Sequence, residues 1–194
     1  MFDHDWQSAT PPLYLPLLVH AHKAAQPATH LLVSEVSYAS IPQKEWIEIY
    51  NPTAYAVDLS PYKMGDAANA DDYEGTYQFP PGSVILSDQV LVVAVTATNF
   101  SQELGRRPDF EILDTDPAVP DMLNYRHWGR GDWGLRNDGD EVLLLDGRDR
   151  PVDVVVYGQG TYPGIVPHPG VPYGHSLERM PPWLETDNCA ADFR

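Results

Sequence analysis

The sequence predicts an all-β protein, a β-sandwich of about eight to nine strands with an extended N-terminal lead-in. Three observations predict it. Apolar or alternating runs of strand length recur between clusters of Pro, Gly, Asn and Asp. The 19 prolines in 194 residues exceed the ~5% of an average globular chain and disfavour long helices. No segment repeats at a period of about 20–50 residues, which removes solenoids and propellers.

The lead-in is placed at residues 1–28 and the folded domain at residues 29–194. The lead-in lacks periodicity and carries Pro11, Pro12, Pro16 and Pro27, so it reads as a linker whose Leu13, Tyr14, Leu15, Leu17 and Leu18 can pin to a surface. His20 and His22 would share one strand face, but no third ligand of the right type stands near them. His30–Val36 is a short apolar run bounded by Ser- and Pro-containing sequence, hence a strand. Glu45–Tyr50 alternates, with Ile47 and Ile49 on one face and Trp46, Glu48 and Tyr50 on the other, until Asn51-Pro52 stops it. Val57–Leu59 and Tyr62–Met64 are short strands around Ser60-Pro61, and Tyr77–Phe79 runs into the turn Pro80-Pro81-Gly82. Val90–Val95 is continuously apolar, the pattern of a strand covered on both faces. Asn99–Leu104 is the one helix expected, closed by Gly105 and then Pro108. Glu141–Leu145 and Val152–Tyr157 flank Asp146-Gly147 as a hairpin, and His175–Arg179 is the last strand. Such a succession builds a sandwich rather than a βαβ protein.

Twelve Lys and Arg against 28 Asp and Glu set a formal net charge of −16. That balance disfavours phosphate backbones and anionic bilayers, so neither nucleic-acid binding nor membrane insertion is expected. The apolar stretch Leu13–Val19 is broken by Pro16 and too short to span a bilayer. With 43% apolar and 21% charged residues the chain can bury a core and is not a disordered acidic polymer. Cys189 stands alone, which excludes an intramolecular disulfide and a thiolate metal site. The start Met1-Phe2-Asp3-His4-Asp5 is acidic where a secretion signal is basic, so the chain reads as a cut-out piece or a mature form.

Several motifs in order resemble a known family. Leu32-Val33-Ser34-Glu35-Val36, then Glu45-Trp46-Ile47-Glu48-Ile49-Tyr50-Asn51-Pro52 and Val57-Asp58-Leu59, resemble the opening of lamin-tail domains. Leu135-Arg136-Asn137-Asp138-Gly139-Asp140-Glu141 follows, then Val152-Asp153, Val156-Tyr157-Gly158 and Ser176-Leu177-Glu178-Arg179. Thr186-Asp187-Asn188-Cys189-Ala190-Ala191-Asp192-Phe193 resembles the closing segment of many bacterial members, so the resemblance spans residues 30–194. It implies an immunoglobulin-like sandwich with no catalytic residues of its own. Animal members end nuclear lamins and engage proteins and DNA; bacterial members are secreted or surface proteins, often beside nuclease or other hydrolase domains. Without coiled-coil heptads or a basic stripe, this chain departs from the lamins where their filament and DNA roles reside. The implied location is extracellular or at a bacterial cell surface. Leu13-Tyr14-Leu15-Pro16-Leu17 likewise resembles segments that follow the signal peptide of exported bacterial proteins.

Within that frame Trp46, Glu48, Asn51, Asn137, Asp140 and Arg179 read as structural. Asn51 follows a strand and can cap a turn, and Asp138-Gly139-Asp140 suits a tight turn where Gly takes positive φ. Glu48 shares a face with two aromatics and is expected to pair with Arg179. Ser176 and His175 are strand neighbours pointing to opposite faces, no nucleophile elbow, phosphate loop or zinc motif is present, and no catalysis is expected.

Asp66, Asp71, Asp72 and Glu74 cluster in one loop, a candidate Ca2+ site set against the simpler reading of a solvated acidic loop. Tyr125, Arg126, Trp128, Arg130 and Trp133 crowd a Gly-containing connection, a candidate surface for protein or carbohydrate; alternatively the two tryptophans plug the end of the sandwich. Arg130-Gly131-Asp132 spells the integrin tripeptide but is common enough by chance to be discounted, and Asn99-Phe100-Ser101 is a sequon relevant only to a eukaryotic secreted chain. The expected function is a non-catalytic binding or structural module; the alternative is a calcium-stabilised accessory domain of a secreted hydrolase or nuclease.

Overall fold

The computed structural model describes residues 27–194, so the lead-in through residue 26, including Leu13–Leu18, His20 and His22, lies outside the described residues. Twelve strands fill the described chain. In order they are β1 (Leu32–Ser37), β2 (Trp46–Tyr50), β3 (Val57–Asp58), β4 (Lys63–Gly65), β5 (Thr76–Gln78), β6 (Val84–Ile85) and β7 (Val90–Thr96). Then come helix α1 (Ala97–Leu104), β8 (Phe110–Leu113), β9 (Leu123–Asn124), β10 (Gly139–Leu145), β11 (Pro151–Gly158), β12 (Leu177–Glu178) and helix α2 (Cys189–Asp192). The count exceeds the expected eight to nine because four strands are only two residues long.

One five-stranded sheet runs β12-β1-β2-β7-β8, the other β11-β10-β4-β5-β9, and β3 pairs with β6 as a small ribbon. The two large sheets share one apolar core. Val33, Ile47, Val93 and Phe110 from the first meet Met64, Tyr77, Val142, Leu144 and Val155 from the second. Tyr38 stacks on Tyr157 with centroids 3.6 Å apart, and Phe79 meets Phe110 edge-on at 5.2 Å.

Alternation decides which side chains enter. Ile47 and Ile49 face the core, whereas Trp46 on the other face meets Phe100 edge-on at 5.8 Å. β7 is covered on both faces: Leu91, Val93 and Val95 face the second sheet, and Val92 and Ala94 lie under Phe100 of α1. The hairpin β10–β11 has two covered faces as well, since Leu143, Leu145, Val154 and Val156 pack beneath Trp128, Tyr162 and Ile165. One local arrangement departs from expectation. β7, α1 and β8 form a single β–α–β crossover, with β7 and β8 parallel. α1 begins two residues earlier than expected and ends at Gly105 in the left-handed conformation, φ +69°.

Candidate functional site

The two segments singled out in the sequence lie zipped against each other. Asp71 N donates to Trp128 O (2.8 Å), Arg130 N to Asp72 O (2.7 Å) and Gly131 N to Glu74 O (3.0 Å). Gly131 is required by this contact, because a Cβ there would stand 1.8 Å from Tyr73 O. The Arg130 guanidinium pairs with Asp71, and Arg126 donates to the carbonyls of Arg130 and Gly131 and to Asp132.

This pairing spreads apart the four acids of the candidate Ca2+ loop. Asp66, Asp71, Asp72 and Glu74 do not converge. Asp71 is taken by Arg130, Asp72 receives Tyr73 N, and Asp66 turns inward, 1% exposed, to receive Gly75 N (2.7 Å) and Gly134 N (2.8 Å). The Asp71 and Asp66 carboxylates hold the neighbouring connection, through the Arg130 guanidinium and Gly134 N, while Asp72 caps its own loop at Tyr73 N. Among the described residues the only acidic trio within ligating distance is Glu111, Asp114 and Asp121. There Glu111 is already engaged by Ala97 N, Asp116 N and Thr115.

Both tryptophans of the connection are half-buried. Trp128 Nε1 donates to Ala67 O (2.8 Å) while its ring covers the outer face of β10 and β11. Trp133 packs on the main core and its Nε1 donates to Glu45 Oε2 (2.8 Å). Tyr125 is half-buried, its hydroxyl donating to Asp149, with the Lys63 ammonium 4.7 Å from its ring centroid. Three successive amides are gripped from below: Trp133 N by Tyr77 Oη, Gly134 N by Asp66 and Leu135 N by Glu45.

Glu45 and Asp66 are buried at 1% exposure. Burial pushes each carboxyl up to about 7, against the hydrogen bonds they receive, and their mutual repulsion with Asp140 adds to the rise. Glu74 is pushed to about 7 by burial and by the negative charges of Asp140, Asp66 and Asp72. Glu45 was not singled out in the sequence. A lone acid between a turn and an apolar run carries no spacing signal.

Beside Trp133 opens a groove of about 350 Å³. Tyr77 and Val95, both largely buried, form its floor, and Pro42, Leu113 and Trp133 its walls. Gln43 and Asp132 are its polar lining. A second cavity of about 540 Å³ lies between the Pro27–His30 segment and β11, with Tyr162, Glu185 and Asp187 on its wall.

The structural residues fall as follows. Asn51 is fully buried; its Nδ2 donates to the carbonyls of Tyr55, Ile85 and Leu86, and its Oδ1 receives Thr53 N and Oγ1. Asn137 Nδ2 donates to Ser40 O, and Asp140 receives Arg136 N and Glu141 N. Arg179 does not meet Glu48. Arg179 has the parity of core-facing Leu177, while Glu48 stands between Ile47 and Ile49 on the outer face and accepts from Ser34 Oγ (2.8 Å). The partners of Arg179 are Asp153 (2.9 Å), Glu185 and Asp192. Ser176 donates to Glu35, and Cys189 is buried, its thiol pushed up to about 11 by burial.

These features define a class, an immunoglobulin-like β-sandwich of two five-stranded sheets around a single core. The lamin tail domain family matches residues 24–159, most of the chain, and the chain belongs to that family. The match stops before Ser176–Arg179 and the closing segment. A search of curated proteins finds no match. Among solved structures, the chain is similar to a DUF4876 family protein from Bacteroides thetaiotaomicron VPI-5482. The identity is 15% and the TM-score 0.59, over 86% of this chain and 70% of that one. At that identity the likeness concerns the fold.

Proposed function

We propose that this lamin-tail-family domain is a non-catalytic binding module acting outside the cell or at its surface, and that it meets its ligand, protein or carbohydrate, at the groove beside Trp133. The observation that carries the reading is the groove itself: an aromatic and aliphatic hollow of about 350 Å³ with a side-chain amide and a carboxylate at hand. Its walls come from the β2-preceding turn, β8 and the Arg/Trp-rich connection, and the last is anchored by three buried groups: Tyr77 of β5, Asp66 just after β4 and Glu45 just before β2. Such anchoring holds a contact surface in shape before a ligand arrives. The absence of catalysis is supported by how the obvious nucleophiles are spent: Ser176 on Glu35, and Cys189 as a buried neutral thiol.

The test follows indole emission while panels of neutral oligosaccharides and short peptides are added to the protein and to Leu113→Lys. Leu113 is 47% exposed, so the substitution fills the groove without entering the core. A ligand whose binding is lost in Leu113→Lys is expected. Binding indifferent to that change, or hydrolysis of nucleic acid or glycoside by the purified chain, would overturn the reading.

A further inference from the structure

We infer that the groove beside Trp133 receives a Lys or Arg side chain from a basic segment of a protein partner, an inference that rests on the groove being the contact surface. Acids outnumber cations around it. The Asp132 side chain is 86% exposed at the wall, and exposed Asp114 follows Leu113 directly. Behind the groove lining stand two buried carboxyls, Glu45 at the indole edge on Trp133 Nε1 and Asp66 on Gly134 N. Among the described residues no donor reaches Glu45 Oε1. The neighbouring cations are already engaged: Arg126 spans Asp132 and two backbone carbonyls, and Lys44, next to Gln43, meets Glu103 at 2.8 Å.

The shape suits the same ligand. Pro42, Val95 and Leu113 offer apolar surface to an aliphatic stem, and Trp133 and Tyr77 put two aromatic rings, the partners a cationic head prefers, into the same lining. Above about pH 7, where Glu45 is ionised, its hold on the indole N–H polarises the ring further in the direction a cation needs. An anionic ligand meets repulsion from Asp132, from Asp114 and from a net charge of −16. A neutral sugar draws on the rings and Gln43 and gains nothing from the field.

The decisive experiment titrates the protein with a synthetic octapeptide alternating Arg and Gly, with its Glu-for-Arg twin, and with a panel of neutral oligosaccharides, following indole emission and heat. The Arg peptide is expected to bind, to lose about tenfold or more in affinity in Leu113→Lys, and to lose severalfold in Asp132→Asn. Glu178→Gln, which removes one negative charge at the opposite edge of the same sheet, is expected to change nothing. Equal weakening by Glu178→Gln means adsorption to an acidic surface and overturns the inference. Binding of the Glu twin as tightly as the Arg peptide overturns it too. If only a neutral sugar binds, and Leu113→Lys abolishes it, the cationic ligand is wrong while the groove stands. If nothing binds in a manner sensitive to Leu113→Lys, both readings fall.

Discussion

Arg179 is 1% exposed, and a guanidinium survives there because Asp153, Glu185 and Asp192 all reach it. Its Nε also donates to Val33 O (3.0 Å), and Phe193 lies under its plane at 4.5 Å. Arg179→Leu leaves Asp153 and Asp192, each 2% exposed, as uncompensated buried charges, so a loss of about 3–5 kcal/mol is expected in chemical denaturation. A loss below about 1 kcal/mol would mean that these acids find other partners. Glu45 gives the opposite kind of expectation. Glu45→Gln keeps the oxygen that receives Trp133 Nε1 and Leu135 N but removes the charge. The variant should melt a few degrees above the parent at pH 8, with the gap closing by pH 5. That Arg179 is structural was legible in its motif; its partners were not. Asp153 follows the Val152 of an apolar run, where one acid reads as facing solvent, and parity across paired strands appears only once register is known.

At the scale of elements, what the sequence revealed is what has a period. β2, β7, β10 and β11 are five to eight residues long and alternate or run apolar, and each lies where expected within about two residues. β6 and β9 are two residues each, too short for any pattern, and β8 exists because α1 returns the chain parallel to β7. Four acids close in sequence need not converge, and here Asp66 and Asp71 serve an adjoining connection. Asp71→Asn combined with Asp72→Asn should therefore leave any Ca2+-dependent shift in melting temperature unchanged; abolition of such a shift would restore the loop as a cation site. The hairpin supplies a sharper expectation. Gly139 adopts φ +146°, and a Cβ there would lie 2.0 Å from Gln159 N, a backbone atom that cannot step aside. Gly139→Ala is expected to cost more than about 2 kcal/mol in thermal or chemical unfolding.

Over the whole molecule, charge and burial combine into a pH dependence. Glu45, Asp66 and Glu74 hold their protons up to about 7, against ordinary values of 4.5, 3.8 and 4.5. The folded state thus binds these protons more tightly than the unfolded state. Their stabilising contribution is complete below about 4 and is lost as pH rises through about 7. His30 and His168, lowered by burial, act in the other direction as pH falls below 6.5, but they are two against several raised carboxyls. Melting temperature should therefore be several degrees higher near pH 5.5 than at pH 8, and a flat or rising profile would contradict this account. The net charge of −16 was informative from the sequence as an exclusion; that part of it is buried needed the fold. The C-terminal segment, finally, sets the order in which this protein can be made. Two of the three carboxylates that meet Arg179 stand at positions 185 and 192, beyond the last strand. A chain emerging from the ribosome N-terminus first can pair every strand before either acid appears. Until then Arg179 has only Asp153 and the Val33 carbonyl, so the last step of its burial belongs to the closing segment.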